Sequence, residues 1–213
     1  MKAIFIGIAA LSTLAAATVV AGSSLGSGAR GGTDDGSAPD TPQFGVTVSG
    51  YPVFFPPEEA TRKSDLVVVG TVGKLSDARW STPDGKAPPD AGRGHPEFFI
   101  YRTAAVDVET VLAGNASVRS VPVTVFGGQA DGIVMEASDI GPDLKKGDRV
   151  ILFLNRPGHP GLPMAPAANW SALMTYHIEG TEARNEFIGR IGVEDLKTRV
   201  SRSAAASGQS PSQ

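Results

Sequence analysis

The run of residues 64–72 constrains the fold most, because it is short, β-branched and uncharged after Asp65. That combination is typical of a strand buried inside a sheet rather than of a helix. Later apolar runs share this character and predict partner strands for it, at residues 98–112, 118–126, 149–154 and 173–180. The sequence therefore predicts a mainly β protein built around residues 64–72.

Details within these runs indicate where each strand lies in the sheet. Residues 150–154 are continuously apolar, which predicts a strand that is buried on both faces and pairs with residues 64–72. Pro122 cannot donate a ladder hydrogen bond, so it predicts either an edge position for its strand or a place at the strand's beginning. The alternation of apolar and polar residues slips at Val111-Leu112, where a bulge or a strand end is expected.

Two helices and an arm complete the predicted domain. Residues 57–63 begin with proline, carry acids first and bases last, and so predict a short helix before the central strand. Val193, Leu196 and Val200 form one apolar stripe and predict a C-terminal helix. Residues 44–55 are expected to form a short edge strand or an arm over the barrel.

The N-terminus predicts export. A lysine followed by an apolar run rich in small residues is typical of a secretory signal peptide, assigned to residues 1–22. An uncleaved membrane anchor is the alternative, since the run is near the lower length for a bilayer span. Residues 23–43 are a disordered linker, 44–202 the single domain and 203–213 a disordered tail. The protein is therefore expected to be secreted or located in the cell envelope.

Composition excludes several chemistries. None of the 213 residues is cysteine, which excludes disulfides, zinc–thiolate sites, iron–sulfur clusters and a cysteine nucleophile. The net charge of −3 argues against a nucleic-acid partner, because binding to that backbone needs a basic face. No catalytic, cofactor-binding or metal-ligating residues are predicted, and no cofactor is expected.

The three histidines are the residues closest to a chemical signal. His95, His159 and His177 lack the spacing of a metal motif. A metal site that uses them with Glu97 or Glu179 is a minor alternative, since imidazole and carboxylate are ordinary ligands.

Two tryptophans are the candidate ligand surface. Trp80 lies in a long polar loop, residues 74–97, and Trp170 follows the Pro/Ala/Gly-rich loop before the last long strand. Long loops often carry function, although packing of Trp80 onto the barrel is the alternative. The preferred hypothesis is an exported, non-enzymatic binding or interaction module with an unknown protein or surface-polymer partner. Membrane contact is expected only if the N-terminal segment is uncleaved.

Two other functions stay open at this point. One is an extracytoplasmic hydrolase whose site forms only in three dimensions, because no nucleophile elbow or carboxylate pair is marked in a strand context. The other is a structural surface protein without a small ligand.

Three segments together carry a family resemblance: residues 64–72, Val111-Leu112-Ala113-Gly114, and residues 147–154. They resemble a pattern in exported, largely uncharacterised bacterial proteins, and are similar in outline to the netrin and tissue-inhibitor-of-metalloproteinase modules. The resemblance implies a small antiparallel OB-like barrel with a short helix before the first core strand and a C-terminal helix. Metalloproteinase inhibition is not implied, because that family uses an N-terminal cysteine, which this chain lacks.

Overall fold

The computed structural model describes residues 44–49, 54–89, 91, 98–114, 117–138, 140–159, 166 and 168–209. The predicted signal peptide, the predicted linker and His95 lie outside these residues. The described elements follow the chain in this order: β1 Phe44–Ser49, α1 Pro57–Lys63, β2 Leu66–Leu75, β3 Arg79–Trp80, β4 Ile100–Ala113, β5 Ser120–Phe126, β6 Gly128–Ala130, β7 Ile133–Ser138, β8 Arg149–Asn155, β9 Ser171–Glu179, β10 Glu182–Asn185, β11 Gly189–Gly192 and α2 Val193–Ala206. The protein is mainly β, as predicted.

The larger sheet is antiparallel and centres on β2. β2 pairs with β4 on one side and with β8 on the other. The sheet continues from β8 through β9 and β10 to β11, while β3 and β5 both pair with β4. The predicted pairing of residues 149–154 with residues 64–72 is therefore confirmed.

β5 is an edge strand of this sheet, one of the two positions that Pro122 predicted, and no ladder closes the sheet among the described residues. β5 meets the chain ahead of β9 at one parallel bridge, between Val123 and Trp170. The Trp170 N–H donates to the Pro122 carbonyl over 2.8 Å, and the Thr124 N–H donates to the Trp170 carbonyl over 2.9 Å. The antiparallel sheet with two helices is confirmed, whereas a closed OB-like barrel is not confirmed by the strand pairing.

Side chains of β2 alternate between two cores, because successive strand residues point to opposite faces. Leu66, Val68 and Val72 lie in the inner core. The other members come from β4, β5, β8 and the turn before β8: Ala104, Val106, Val121, Val123, Val125, Leu144, Val150, Leu152 and Leu154. Val67 and Val69 lie in the outer core, beneath the helices. The other members of the outer core are Ala60, Leu112, Ala113, Ile151, Phe153, Met174, Tyr176, Ala183, Val193, Leu196, Val200 and Ala204. The central strand is thus buried on both faces.

A smaller sheet forms apart from β2. β1 pairs with β7 in parallel and β6 pairs with β7 antiparallel, so β1 is an edge strand, one of the two predicted forms of this segment. A third core lies here and contains Trp80, Phe99, Ile100, Ile133 and Met135 among its members.

The helices match the predicted segments with one correction. α1 spans Pro57–Lys63, as expected. α2 continues to Ala206, so the predicted tail at residue 203 begins too early. Ser203 and Ala204 are buried, and the Ser203 hydroxyl donates to the Glu58 carbonyl over 2.9 Å, so contact with α1 extends the helix. No helix in the described ranges is long and apolar enough to cross a bilayer.

The end of β4 carries the predicted bulge, followed by a glycine, Gly114, that no other residue can replace without strain. The register between β2 and β4 shifts around Leu112, where the bulge was predicted. Gly114 follows with φ +90°, and an added Cβ would collide with the Asp65 carbonyl oxygen. Only glycine combines this backbone conformation with this close approach.

We predict that Gly114→Ala destabilises the protein far more than Gly180→Ala. Both glycines have positive φ, but a Cβ at Gly180 would meet nothing within 4 Å. Gly180→Ala should cost about 1 kcal/mol of unfolding free energy, and Gly114→Ala at least about 2 kcal/mol more, because steric overlap adds to backbone strain. Urea denaturation of both variants measures the difference, and equal losses would contradict this explanation.

Candidate functional site

The structure places both predicted tryptophans against the protein's own cores. Trp80 is 2% exposed and lies in the third core. Trp170 is half-buried and packs against the inner core, next to its backbone bridge with Val123. Packing of Trp80 onto the fold was the alternative considered from the sequence. A role of either tryptophan in ligand contact stays a prediction.

The two described histidines each face a single aspartate. His159 Nδ1 lies 3.5 Å from Asp65 Oδ2, and His177 Nδ1 lies 3.6 Å from Asp148 Oδ2. The Asp65 N–H donates to the Leu154 carbonyl near the end of β8, whereas Asp148 immediately precedes β8. The two pairs are therefore held at opposite ends of one strand. In the described part of the chain, no group of three or more such residues could hold a metal ion.

A cleft of about 300 Å³ lies between α1 and α2, and we call it the helix groove. The residues that line it are mostly charged or hydroxyl-bearing, although most of the surface they contribute to it is apolar: Glu58, Arg62, Arg199, Arg202, Ser203, Ala206 and Ser207. Local helix periodicity explains this set. Glu58 and Arg62 are four residues apart on α1, and the α2 residues follow the three- and four-residue spacing of one helix face.

An ion pair between Glu58 and Arg199 joins the two helices across the groove. Arg199 Nε donates to Glu58 Oε1 over 2.6 Å, and Arg199 Nη2 donates to Glu58 Oε2 over 2.9 Å. These hydrogen bonds lower the pKa of Glu58 below its ordinary value, although partial burial opposes the effect. The same contact raises the pKa of Arg199. Both groups are therefore charged at neutral pH and neutralise one another.

The other two arginines of the groove are not neutralised in this way. Arg62 and Arg202 are exposed, and neither forms an ion pair with a residue that the structure describes. Arg62 acts on Glu58 only through its longer-range charge, which also lowers the pKa of Glu58. With Glu58 paired to Arg199, the lining residues keep a net charge of +2, although Asp195 on α2 also acts on Arg199 through its charge. The whole chain has a net charge of −3.

Arginine is well suited to binding an oxyanion. The guanidinium is planar, remains charged at any ordinary pH and presents its N–H groups as a fork that matches phosphate or carboxylate oxygens. The serines of the groove are already engaged as donors, since the Ser207 hydroxyl donates to the Ser203 carbonyl over 2.8 Å. Arg62 and Arg202 are therefore the groups that would donate to a ligand.

Sequence reasoning missed this site. It assigned the charges of both helices to the helix dipole, because the two helices are remote in the chain. Arg199 and Glu58 are 141 positions apart, and no local pattern indicates that they meet. The available signal was the three-residue spacing of Arg199 and Arg202 on α2, together with Arg62 in the last turn of α1.

No protein-family model matches the chain, and neither the curated proteins nor the solved structures contain a match.

We predict that Glu58→Gln lowers the free energy of unfolding by about 1 kcal/mol near neutral pH, since it weakens a partly exposed bidentate pair. Glu59→Gln is the matched control and should cost less than about 0.5 kcal/mol, because the Glu59 contact with Lys63 is exposed. Urea denaturation measures both losses, and equal losses would argue against a special role for Glu58.

We also predict that wild type is more stable than Glu58→Gln at neutral pH and that this difference in unfolding free energy shrinks as the pH falls. Arg199 lowers the pKa of Glu58 in the folded state, so the unfolded state binds more protons as pH falls below about 4.5. The stabilisation is fully present above the unfolded-state pKa and is lost as pH falls through the folded-state pKa. A difference in unfolding free energy that stays constant from neutral pH to the pH of acid unfolding would contradict this prediction.

Proposed function

We propose that this protein is an exported, non-enzymatic binding module that holds a phosphate-like anionic group in the helix groove. The observation that carries this proposal is the pair of exposed arginines, Arg62 and Arg202, in one cleft without ion-pair partners among the described residues. Two guanidinium forks can share the oxygens of one phosphoryl group, and each charge-assisted hydrogen bond is stronger than a neutral one.

The ion pair beside these arginines supports the same proposal. Glu58 holds Arg199 in a fixed bidentate geometry and thereby fixes α1 against α2. Arg62 and Arg202 are therefore carried on a rigid pair of helices rather than on loops. Both arginines line the same cleft, and an anion bound there would offset part of their positive charge. A site built on rigid elements also loses less conformational entropy when a ligand binds.

The framework we propose for this module is an OB-like barrel of β2, β4, β5, β8 and β9. Its support is the pairing order, in which β2 lies between β4 and β8, and β5 and β9 are the outer members of these five strands, although β9 also pairs with β10. The parallel bridge of Val123 with Trp170 joins these ends, as expected for a partly open Greek-key barrel. The resemblance to netrin and tissue-inhibitor-of-metalloproteinase modules concerns strands of this same set.

Export of the module is part of the proposal and rests on the predicted signal peptide. The partner would be an extracellular or envelope component that bears phosphate-like groups. The hydrolase alternative stays a prediction, since the described histidine–aspartate contacts are two separated pairs rather than a converging set.

We predict that the mature chain binds inorganic pyrophosphate and that Arg62→Ala and Arg202→Ala each weaken the affinity about tenfold. One lost charge-assisted hydrogen bond is worth about 1.5–3 kcal/mol, which corresponds to at least that factor. Isothermal titration calorimetry at low salt measures the affinity, which should fall as salt is added.

Arg119→Ala is the matched control for this titration. Arg119 is exposed, lies ahead of β5 rather than in the groove, and forms no ion pair with a described residue. Its removal should leave the affinity for pyrophosphate unchanged. Equal affinities of wild type, the two groove variants and this control would show that the groove is not the binding site.

A further inference from the structure

We propose that the anion bound in the helix groove is the headgroup of an anionic lipid, and that an apolar patch formed by Phe54, Phe187 and Ile188 contacts the same lipid surface. This inference rests on the proposed function, because it names the source of the anion. It adds a second contact, made by side chains that do not line the groove.

The apolar patch is exposed and continuous. Phe54, Phe187 and Ile188 are 49%, 46% and 42% exposed. The rings of Phe54 and Phe187 are in contact, with centroids 4.8 Å apart. Single exposed apolar residues are ordinary in soluble proteins, but large side chains that contact one another on the surface indicate an interaction site.

The turn between β10 and β11 holds part of this patch in place. Asn185 Oδ1 accepts the backbone N–H groups of Phe187 and Ile188 over 3.0 and 2.9 Å. Asn185 is itself buried and donates from Nδ2 to the Thr175 carbonyl over 2.8 Å. A buried side chain therefore fixes the turn that presents two large apolar side chains to solvent.

α1 connects the patch to the groove. Phe54 lies just ahead of α1, and Arg62 and Lys63 lie in its last turn. A helix of this length spans about 10 Å. Lys63 Nζ lies 5.0 Å from the ring centroid of Phe55, so a cation adjoins the residue after Phe54. The inference therefore requires that the patch and the groove meet one lipid surface, which the patch and groove variants below test separately.

Charge favours an anionic lipid as the occupant. Proteins that bind at the membrane interface combine apolar side chains, which enter the headgroup–acyl boundary, with basic side chains that attract anionic lipids. Glu186 precedes Phe187 in the chain, and Glu59 on α1 pairs loosely with Lys63 at 3.7 Å. The uncompensated positive charge comes from Arg62 and Arg202 in the groove.

Vesicle co-sedimentation of the mature chain tests this inference. Wild type should bind vesicles that contain phosphatidylglycerol but not vesicles of phosphatidylcholine alone. Phe187→Ser with Ile188→Ser should reduce the partition at least tenfold while the affinity for pyrophosphate, which checks that the chain is folded, is retained. Phe54→Ser tests the patch independently of the β10–β11 turn. The double variant Arg62→Ala with Arg202→Ala should bind neither vesicles nor pyrophosphate, and Arg119→Ala should bind both as wild type does.

The other outcomes overturn the inference in distinguishable ways. Binding of pyrophosphate without binding of phosphatidylglycerol vesicles leaves the proposed function standing and refutes the lipid source. Vesicle binding that survives both patch variants refutes the role of the patch. Vesicle binding without pyrophosphate binding refutes the proposed function and the inference with it. Dimerisation that the patch variants abolish, in the absence of vesicle binding, would identify a second copy of the chain as the occupant.

Discussion

Burial of β2 on both faces is the constraint on which the rest of this structure depends. Its inner face meets β4, β5 and β8, so the sheet folds around one core. Its outer face carries Val67 and Val69, which need a cover of their own. α1 and α2 provide that cover, and the groove exists because both helices must pack on the same strand face. The alternation of side chains along one strand thus determines where the candidate site lies.

Features that depend on neighbours in sequence were predictable. α1 follows from its N-terminal proline and the order of its charges, the bulge at Leu112 from the slipped alternation, and the doubly buried β8 from an uninterrupted apolar run. The extension of α2 to Ala206 was not predictable, because Ser203 reads as a tail residue until α1 is placed beside it. The parallel pairing of β1 with β7 likewise depends on a contact that no local pattern records.

The candidate site shows why global charge is a poor guide to local binding. The chain is slightly acidic overall, and this acidity argues against long polyanions such as nucleic acids. The helix groove is nevertheless positive, because Glu58 neutralises only one of its three arginines. Residues from opposite ends of the domain create this local excess, so composition averages it away. A rigid fold can therefore hold a cationic site inside an acidic protein.

Anion binding in the helix groove can be observed directly by diffraction. Crystals of the mature chain grown with selenate, a sulfate analogue that scatters anomalously, should show an anomalous peak between the guanidinium groups of Arg62 and Arg202. Glu58 and Arg199 should remain paired beside it. Selenate found only elsewhere on the surface, with the groove empty and both arginines turned to solvent, would contradict the claim that this groove is built to bind an anion.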